Sequence, residues 1–466
     1  MKQDTQGRVA RQVRRTRQEL LEDQDLCLGR LLPAAQVQEA LQRHKVHFRK
    51  RTYTPLVTLW AFLYQVLSTD QACRAAVARL LAFLGLHDSG PLRPHDGPYC
   101  KARQRLPEGL VADLTRQTGG HLHQQGRPLG LLRGRPLVLV DGTTASMPDT
   151  PANQKEYPQQ AAQKPGLGFP LVRLVGLISL ASGAVLDVAM ASYKGKRTGE
   201  TSLLRQLLGS LQAGQILLGD AQFANYWTIA LLGEQGVDLL ARADGRRRVD
   251  FRSGQWLGPQ DHVVCWHKPQ RPGWMTKDLY DRLPQTLSVR EVRVPVRQRG
   301  FRVKSLLLAT TLLNADLYRK QDLAEGYRRR WLVELDLRSI KVVLQMEVLR
   351  CKSPAMVRKE IWMHLLAYNL IRRVMTEAAE RVGLEPRQIS FAGTLQTVMA
   401  FATAGWGCPP ARLASLYALV LQAVVQHRVG NRPDRIEPRA NKRRPRVQCY
   451  LNEPRAQARE RLLNAS

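Results

Sequence analysis

PLVLVD, residues Pro136–Asp141, is a short apolar run that ends in a carboxylate. A continuous run of this length reads as a strand buried on both faces. QILLGD repeats the arrangement: Gln215–Gly219 is a second buried strand, and Asp220 follows it. In an α/β sheet, sites are built where such strands end. If the two strands are neighbours, Asp141 and Asp220 project to one spot.

Strand and helix signals alternate around these runs. Leu171–Leu180 and Ala184–Met190 read as two strands joined by Ala-Ser-Gly, a hairpin turn. Glu200–Leu211 and Phe223–Gln235 read as helices, and Val237–Ala241 as a strand. From 243 to 303 the chain is rich in Arg, Gly, Pro and Trp around one alternating run, Leu287–Val296, which reads as a small β-rich insertion. Val303–Leu313 is a further strand, and a long helix begins near Asp322.

Residues 1–110 read as helical, with apolar spacing in Gln18–Leu32, Ala34–Arg43, Pro55–Leu67 and Gln71–Leu86. The basic cluster His47–Arg51 lies between these pairs, and suits either a DNA-binding module or the solvated rim of a packing domain. Gly90–Pro98 is a loop, residues 353–375 and 410–428 are helices, and no internal repeat is visible. From Gly430 the chain reads as an extended or disordered tail, with Lys442-Arg-Arg444 either touching DNA or simply solvated. The expected fold class is α/β. A core of residues 127–242 and 304–375 carries the insertion 243–303, follows a helical domain 1–110, and precedes a helical region 376–430 and a basic tail 431–466.

The helix Tyr327–Lys341, YRRRWLVELDLRSIK, supplies a third acid. On an ideal helix Tyr327, Arg330, Glu334 and Lys341 fall at about 0°, 300°, 340° and 320°, a strip about 60° wide. Asp141, Asp220 and Glu334 are hard oxygen donors with no nitrogen or sulfur ligand among them, a set that suits Mg²⁺ or Mn²⁺. Two such ions ~3.5–4 Å apart can bridge a scissile phosphate, one activating the attacking oxygen and the other stabilising the leaving one. Arg330 and Lys341 would then grip phosphate, with Tyr327 hydrogen-bonding or stacking. Taken singly, an Asp after a strand is usually a turn or cap residue and a helical Glu beside Arg a surface ion pair; the joint pattern is more specific.

Composition points the same way. Lys and Arg number 71 against 39 Asp and Glu, a formal net charge of +32 that favours a polyanionic partner, nucleic acid foremost. Seven scattered cysteines without a CxxC pair exclude a disulfide framework and suit a reducing cytoplasm. His262, Cys265 and His267 lack the second ligand pair a structural zinc site needs. The basic N-terminus has no apolar segment after it, and no apolar run approaches the ~20 residues of a membrane span.

At these residues the chain resembles the DDE transposases of the insertion-sequence-four family. Their signature, Y-x2-R-x3-E-x6-K, matches Tyr327, Arg330, Glu334 and Lys341 without a change of spacing. Val140-Asp141-Gly-Thr-Thr144 and Leu218-Gly-Asp220, with Phe223 and Tyr226, are similar to the family's aspartate motifs. Similar segments are Ser146–Thr150, Lys164–Phe169, Tyr193–Lys196 and Met356–Arg372 with Ala367-Tyr-Asn369, so the likeness spans about residues 25–400. Ala221-Gln222 departs from it, since many relatives carry Arg directly after the second Asp. The resemblance implies an RNase H-like catalytic core with a β-rich insertion between the second Asp and the Glu. It implies two divalent ions held by Asp141, Asp220 and Glu334, excision through a hairpin at the transposon end, and strand transfer into target DNA by a synaptic homodimer. It further implies an insertion aromatic stacked on a displaced base, for which Trp256, Trp266 and Trp274 are candidates. Lys194, Lys196 and Arg197 lie in a Gly-containing loop that either touches DNA or is a plain turn. The expected partners are the terminal repeats and target DNA, in the cytoplasm. The alternatives are an RNase H-like nuclease without strand transfer and a catalytically silent DNA-binding relative.

Overall fold

The computed structural model describes residues 30–48, 52–86, 94–125, 128–296, 304–405, 408, 410–430 and 449–464. The expected helix Gln18–Leu32 lies outside them except for its last three residues, as do Arg49–Arg51, residues 90–93 and Lys442–Arg444.

Among the described residues five helices come first: α1 (Ala34–Arg43), α2 (Pro55–Leu67), α3 (Cys73–Leu86), α4 (Gly97–Arg105) and α5 (Glu108–Gln124). Thr54 caps α2, accepting from Val57 N, and Pro55 occupies its first turn, where a missing N–H costs nothing. The strands β1 (Leu131–Leu132) and β2 (Arg135–Ser146) lead to α6 (Pro151–Glu156), then β3 (Leu171–Ser179), β4 (Val185–Ser192) and α7 (Glu200–Leu207). Next come β5 (Ile216–Gly219), α8 (Tyr226–Glu234), β6 (Asp238–Arg242), β7 (Gln255–Gly258), β8 (Asp261–His267), α9 (Lys277–Arg282), β9 (Thr286–Pro295) and β10 (Ser305–Thr310). The chain closes with α10 (Lys320–Arg328), α11 (Leu332–Arg338), α12 (Pro354–Glu380), α13 (Phe391–Ala404), α14 (Pro410–Gln426) and α15 (Arg455–Asn464).

The described strands form one ten-stranded sheet in the order β4-β3-β2-β5-β6-β10-β9-β8-β7, with β1 paired to β2. The β2–β5 and β5–β6 pairs are parallel and the others antiparallel. The strands of the expected insertion therefore extend the main sheet through β10. Strand pairing over such sequence distances leaves no trace in local periodicity.

Alternation along β2 divides the core. Leu137 and Leu139 pack into a large cluster with α2, α5 and α12, so the N-terminal helices share the core of the sheet. Val138 and Val140 face the other way, against Leu203, Leu204 and Leu207 of α7 and Ile229 and Leu232 of α8. Helix α5 approaches β4 so closely that a Cβ on Gly119 would lie 2.0 Å from Val185 O. Asn369 of α12 closes this junction, donating to Thr115 O and Val185 O and accepting from Val185 N.

Helix α12 runs unbroken across the expected boundary at 375. The tail expected to lack structure contains α15, whose Ala, Arg, Glu and Leu residues are good helix formers despite its basic composition. All six described cysteines are free, and no helix of the described residues is long and apolar enough to cross a membrane.

His364 of α12 is buried, and its Nδ1 has no hydrogen-bond partner. Burial pulls its pKa from 6.5 down to about 3. The unfolded chain takes up this proton below pH 6.5 and the folded chain does not, so stability is full above pH 6.5 and falls as pH drops toward 3. The slope from this residue is roughly 1.4 kcal/mol per pH unit. His364→Leu is expected to flatten the pH dependence of Tm over that window; an unchanged slope would refute the assignment.

Candidate active site

Leu137 of β2 lies beside Ile216 of β5, and Leu139 beside Leu218. Continuing this register brings Asp141 beside Asp220, at the ~4.8 Å spacing of neighbouring strands. The same alternation turns Asp141 to the face of Leu137 and Leu139, the face on which Val333 and Ile340 pack. Gly142 N donates to Asp141 Oδ1 at 2.8 Å, and Gln222 N to Asp220 Oδ1 at 3.0 Å.

The third acid comes from across the chain. Helix α10 ends at Arg328, a 3₁₀ turn spans Arg329–Trp331, and α11 carries Glu334. The Arg330 guanidinium lies between two carboxylates, 3.5 Å from Asp141 Oδ2 and 3.3 Å from Glu334 Oε1. Tyr327 backs it: its ring is 8% exposed and its centroid lies 5.9 Å from the Arg330 guanidinium carbon. Tyr327 is thus largely covered, with Arg330 beside its ring. Burial pushes the Asp141 pKa up to about 6; Arg330 and the Gly142 N–H oppose the shift, while Asp220 and Glu200 reinforce it.

The donors are hard oxygens and include two adjacent aspartates, which fits a divalent cation. Among the described residues no three His, Cys, Asp or Glu side chains are grouped closely enough to hold a metal ion as they stand, and Glu334 is engaged with Arg330. The fit is therefore one of donor chemistry and neighbourhood.

Lys341 lies in a π turn, Ser339–Val343, and pairs with Glu347 at 3.5 Å. A π turn advances less per residue than an α-helix and shifts the register of the face. Glu347 O in turn accepts from Ser146 N, and Leu349 N donates to Ser146 O, so this segment is sewn to the far end of β2. Lys194 and Lys196 are exposed on the loop before α7, and Arg197 donates to Gly273 O of the insertion at 3.4 Å.

The three tryptophans differ. Trp266 is buried, donating to Glu291 Oε1 beneath Arg247, and Trp274 is stacked by Arg205 at 3.8 Å. Trp256 is 68% exposed. The His262 ring is committed to Ser253 O and Glu291, and Cys265 and His267 are exposed, so the trio does not converge.

Glu200, the first residue of α7, was not singled out from the sequence. Its carboxylate accepts from Gln222 Nε2 and lies against Gly142, where a Cβ would come within 2.3–2.7 Å of its carboxyl atoms. The only sequence hint is a Gly-Glu pair opening a helix, which ordinarily marks a helix start.

Comparison with known proteins bears on this geometry. Residues 132–370 match the family model of the transposase DDE domain. The chain is 28% identical over 415 residues to the transposase InsG for insertion sequence element IS4 of Escherichia coli K12, covering 86% of this chain and 88% of InsG. It is 37% identical over 65 residues to the putative transposase InsL for insertion sequence element IS186A of the same organism, covering 14% of this chain and 18% of InsL. A cryo-EM structure of the piggyBac transposase synaptic complex with hairpin DNA aligns over 85% of this chain and 84% of that one, at 8% identity and a TM-score of 0.39. The family match spans both aspartates, the signature helix and most of α12, and the chain belongs to the DDE transposases, as one of the IS4 type that cleaves DNA and transfers its strands.

Proposed function

We propose that Asp141, Asp220 and Glu334 are the DDE carboxylates and together hold two Mg²⁺ or Mn²⁺ ions for cut-and-paste transposition. One observation carries this reading: Asp141 and Asp220 share a register, and Arg330 links Asp141 to Glu334. The unit β4-β3-β2-β5-β6, three antiparallel strands followed by two parallel ones with the acids on the central pair, supports an RNase H-like core. When bound, the ions polarise the scissile phosphate and stabilise charge on the attacking and leaving oxygens.

The protein's own residues do the rest. Three acids clustered on one cation site repel one another, and Arg330 relieves part of that repulsion. Once the carboxylates are committed to metal, its guanidinium is free to grip a phosphate bidentately, with Tyr327 fixing its direction. Water, and later the freed 3′-hydroxyl, attacks phosphorus in line as the bond to the leaving 3′-oxygen breaks. Lys341, Lys194, Lys196 and Arg197 hold backbone phosphates, and residues 1–110 help recognise the element ends. A synaptic homodimer working in the cytoplasm completes the reading. Of the insertion tryptophans, Trp256 is the one free to stack on a displaced base. Loss of hairpin product with the first nick retained in Trp256→Ala would support that role, and an unaltered hairpin yield would remove it.

The test begins by locating terminal inverted repeats on either side of the reading frame and uses them as substrate. Incubation with Mg²⁺ should nick such an end and join it to a target plasmid, and EDTA should stop both. Nicking that persists in EDTA would end the metal reading, and nicking without joining would leave only a nuclease. Lys341→Ala is expected to weaken end binding and to lower the log–log salt slope by about 0.9, as for one lost phosphate contact. Fluorescence anisotropy across a KCl series measures it, and an unchanged slope would place Lys341 away from the DNA.

A further inference from the structure

Glu200 reaches the catalytic neighbourhood from the side of the sheet opposite Glu334. Asp141 and Gly142 are successive residues of β2 and point to opposite faces. Gly142 faces α7, and because it has no side chain the Glu200 carboxyl can rest against the strand there. Gln222, two residues after Asp220, holds that carboxyl by its side chain and Asp220 by its backbone N–H. Ala221 stands where many relatives carry Arg, and it is the next residue, Gln222, that holds the Glu200 carboxyl.

The charges around the site are lopsided. Arg330 contacts Asp141 and Glu334. Among the described residues no Lys or Arg nitrogen lies within 4.0 Å of Asp220 or Glu200. Arg173 comes nearest in effect, but its guanidinium donates to Thr198 O and stacks on Tyr193. Two carboxylates on the Asp220 side therefore share a neighbourhood with no cation of the chain in contact. Such a pair costs free energy unless a cation joins it.

We propose that Glu200 is a fourth acidic residue of the catalytic centre, helping to hold the divalent cation on the Asp220 side, with Gln222 setting its direction and Gly142 making room for it. The inference rests on the metal-site reading of Asp141 and Asp220. It adds an acid that comes from the opposite face of the sheet, at the position Gly142 leaves open. Gly142 then serves as a specificity element of the backbone: any side chain there displaces the Glu200 carboxyl.

Mn²⁺ binding to the full-length protein, followed by electron paramagnetic resonance, tests the proposal without requiring turnover. Glu200→Gln keeps shape and removes charge. It is expected to weaken Mn²⁺ binding by about 10-fold or more, the usual cost of losing an outer partner of a metal site, with an unchanged Tm. Gly142→Ala should weaken Mn²⁺ similarly without touching any charge, and the double variant should be no worse than the stronger single one. Mn²⁺ binding at wild-type strength in Glu200→Gln, while Asp141→Asn loses it, would overturn the role of Glu200 and leave the aspartates in place. Additive losses in the double variant would overturn the link between Gly142 and Glu200. If Asp141→Asn and Asp220→Asn also bind Mn²⁺ normally, the metal-site reading itself has failed.

Discussion

Asp141→Asn, Asp220→Asn and Glu334→Gln should each lower cleavage of an element end on the order of 10⁴-fold, while end binding stays within a few-fold of wild type. Each substitution keeps the side-chain volume and removes the charge that a divalent cation requires. Residues that act as one unit fail together, so any two of these variants combined should be no slower than one alone. Binding survives because the affinity of a protein with a net charge of +32 comes from its many basic residues. Stability moves the other way at Asp141. Its folded pKa of about 6 exceeds the unfolded value of 3.8, so its cost to stability is absent below pH 3.8 and complete above pH 6. In EDTA at neutral pH, Asp141→Asn should therefore be more stable than wild type, by up to about 3 kcal/mol. Single-turnover cleavage and urea unfolding read the two effects. A variant that cuts at wild-type rate would remove that residue from the catalytic set.

The parts of this site that were legible in the sequence are those carried by local pattern. PLVLVD and QILLGD announced buried strands that carry acids, and their parallel register, continued past Leu139 and Leu218, places those acids side by side. β5 stops before Asp220, but β2 runs on to Ser146, so Asp141 lies within its strand and not at its end, because pairing with β3 extends β2 past the apolar run. The signature spacing placed Tyr327, Arg330 and Glu334 on one face, where the ion pairs of Arg330 put it between Asp141 and Glu334. The π turn that carries Lys341 is not anticipated by ideal helical spacing. Glu200 was invisible for a different reason. Its relevance depends on what Gly142 lacks, 58 positions earlier in the chain, and on a Gln whose position in the turn is not encoded in any period. The joining of the insertion strands to the main sheet is likewise a matter of non-local pairing: β10 runs antiparallel to β6, with Ala309 opposite Ala241, across more than sixty residues.

Asp336→Ala should be far more damaging to folding than any change at Glu334, though the two are only two residues apart. On a helix they lie about 200° apart, so Glu334 faces the site and Asp336 faces the core. Asp336 is fully buried and receives both Arg372 and Arg387, the latter at 2.8 Å and 3.1 Å, with the Tyr368 hydroxyl 3.1 Å away. Arg387 continues to Ser179 O and Leu180 O at the end of β3, and Tyr368 lies 3.0 Å from Gly183 O in the turn to β4. This network ties the helix of Glu334 to α12 and to the strand paired with β2, opposite Asp141. Removing the carboxylate leaves two buried guanidinium groups without their counter-ion, a loss of about 3–5 kcal/mol. Replacing the pair together, as Asp336→Leu with Arg372→Met, should recover part of that loss, because one of the stranded charges goes with it. Urea unfolding of the single and double variants measures both quantities. A loss below about 1 kcal/mol for Asp336→Ala would show that α11 is held by its apolar face alone, and that Glu334 owes its position to packing and not to this ionic anchor.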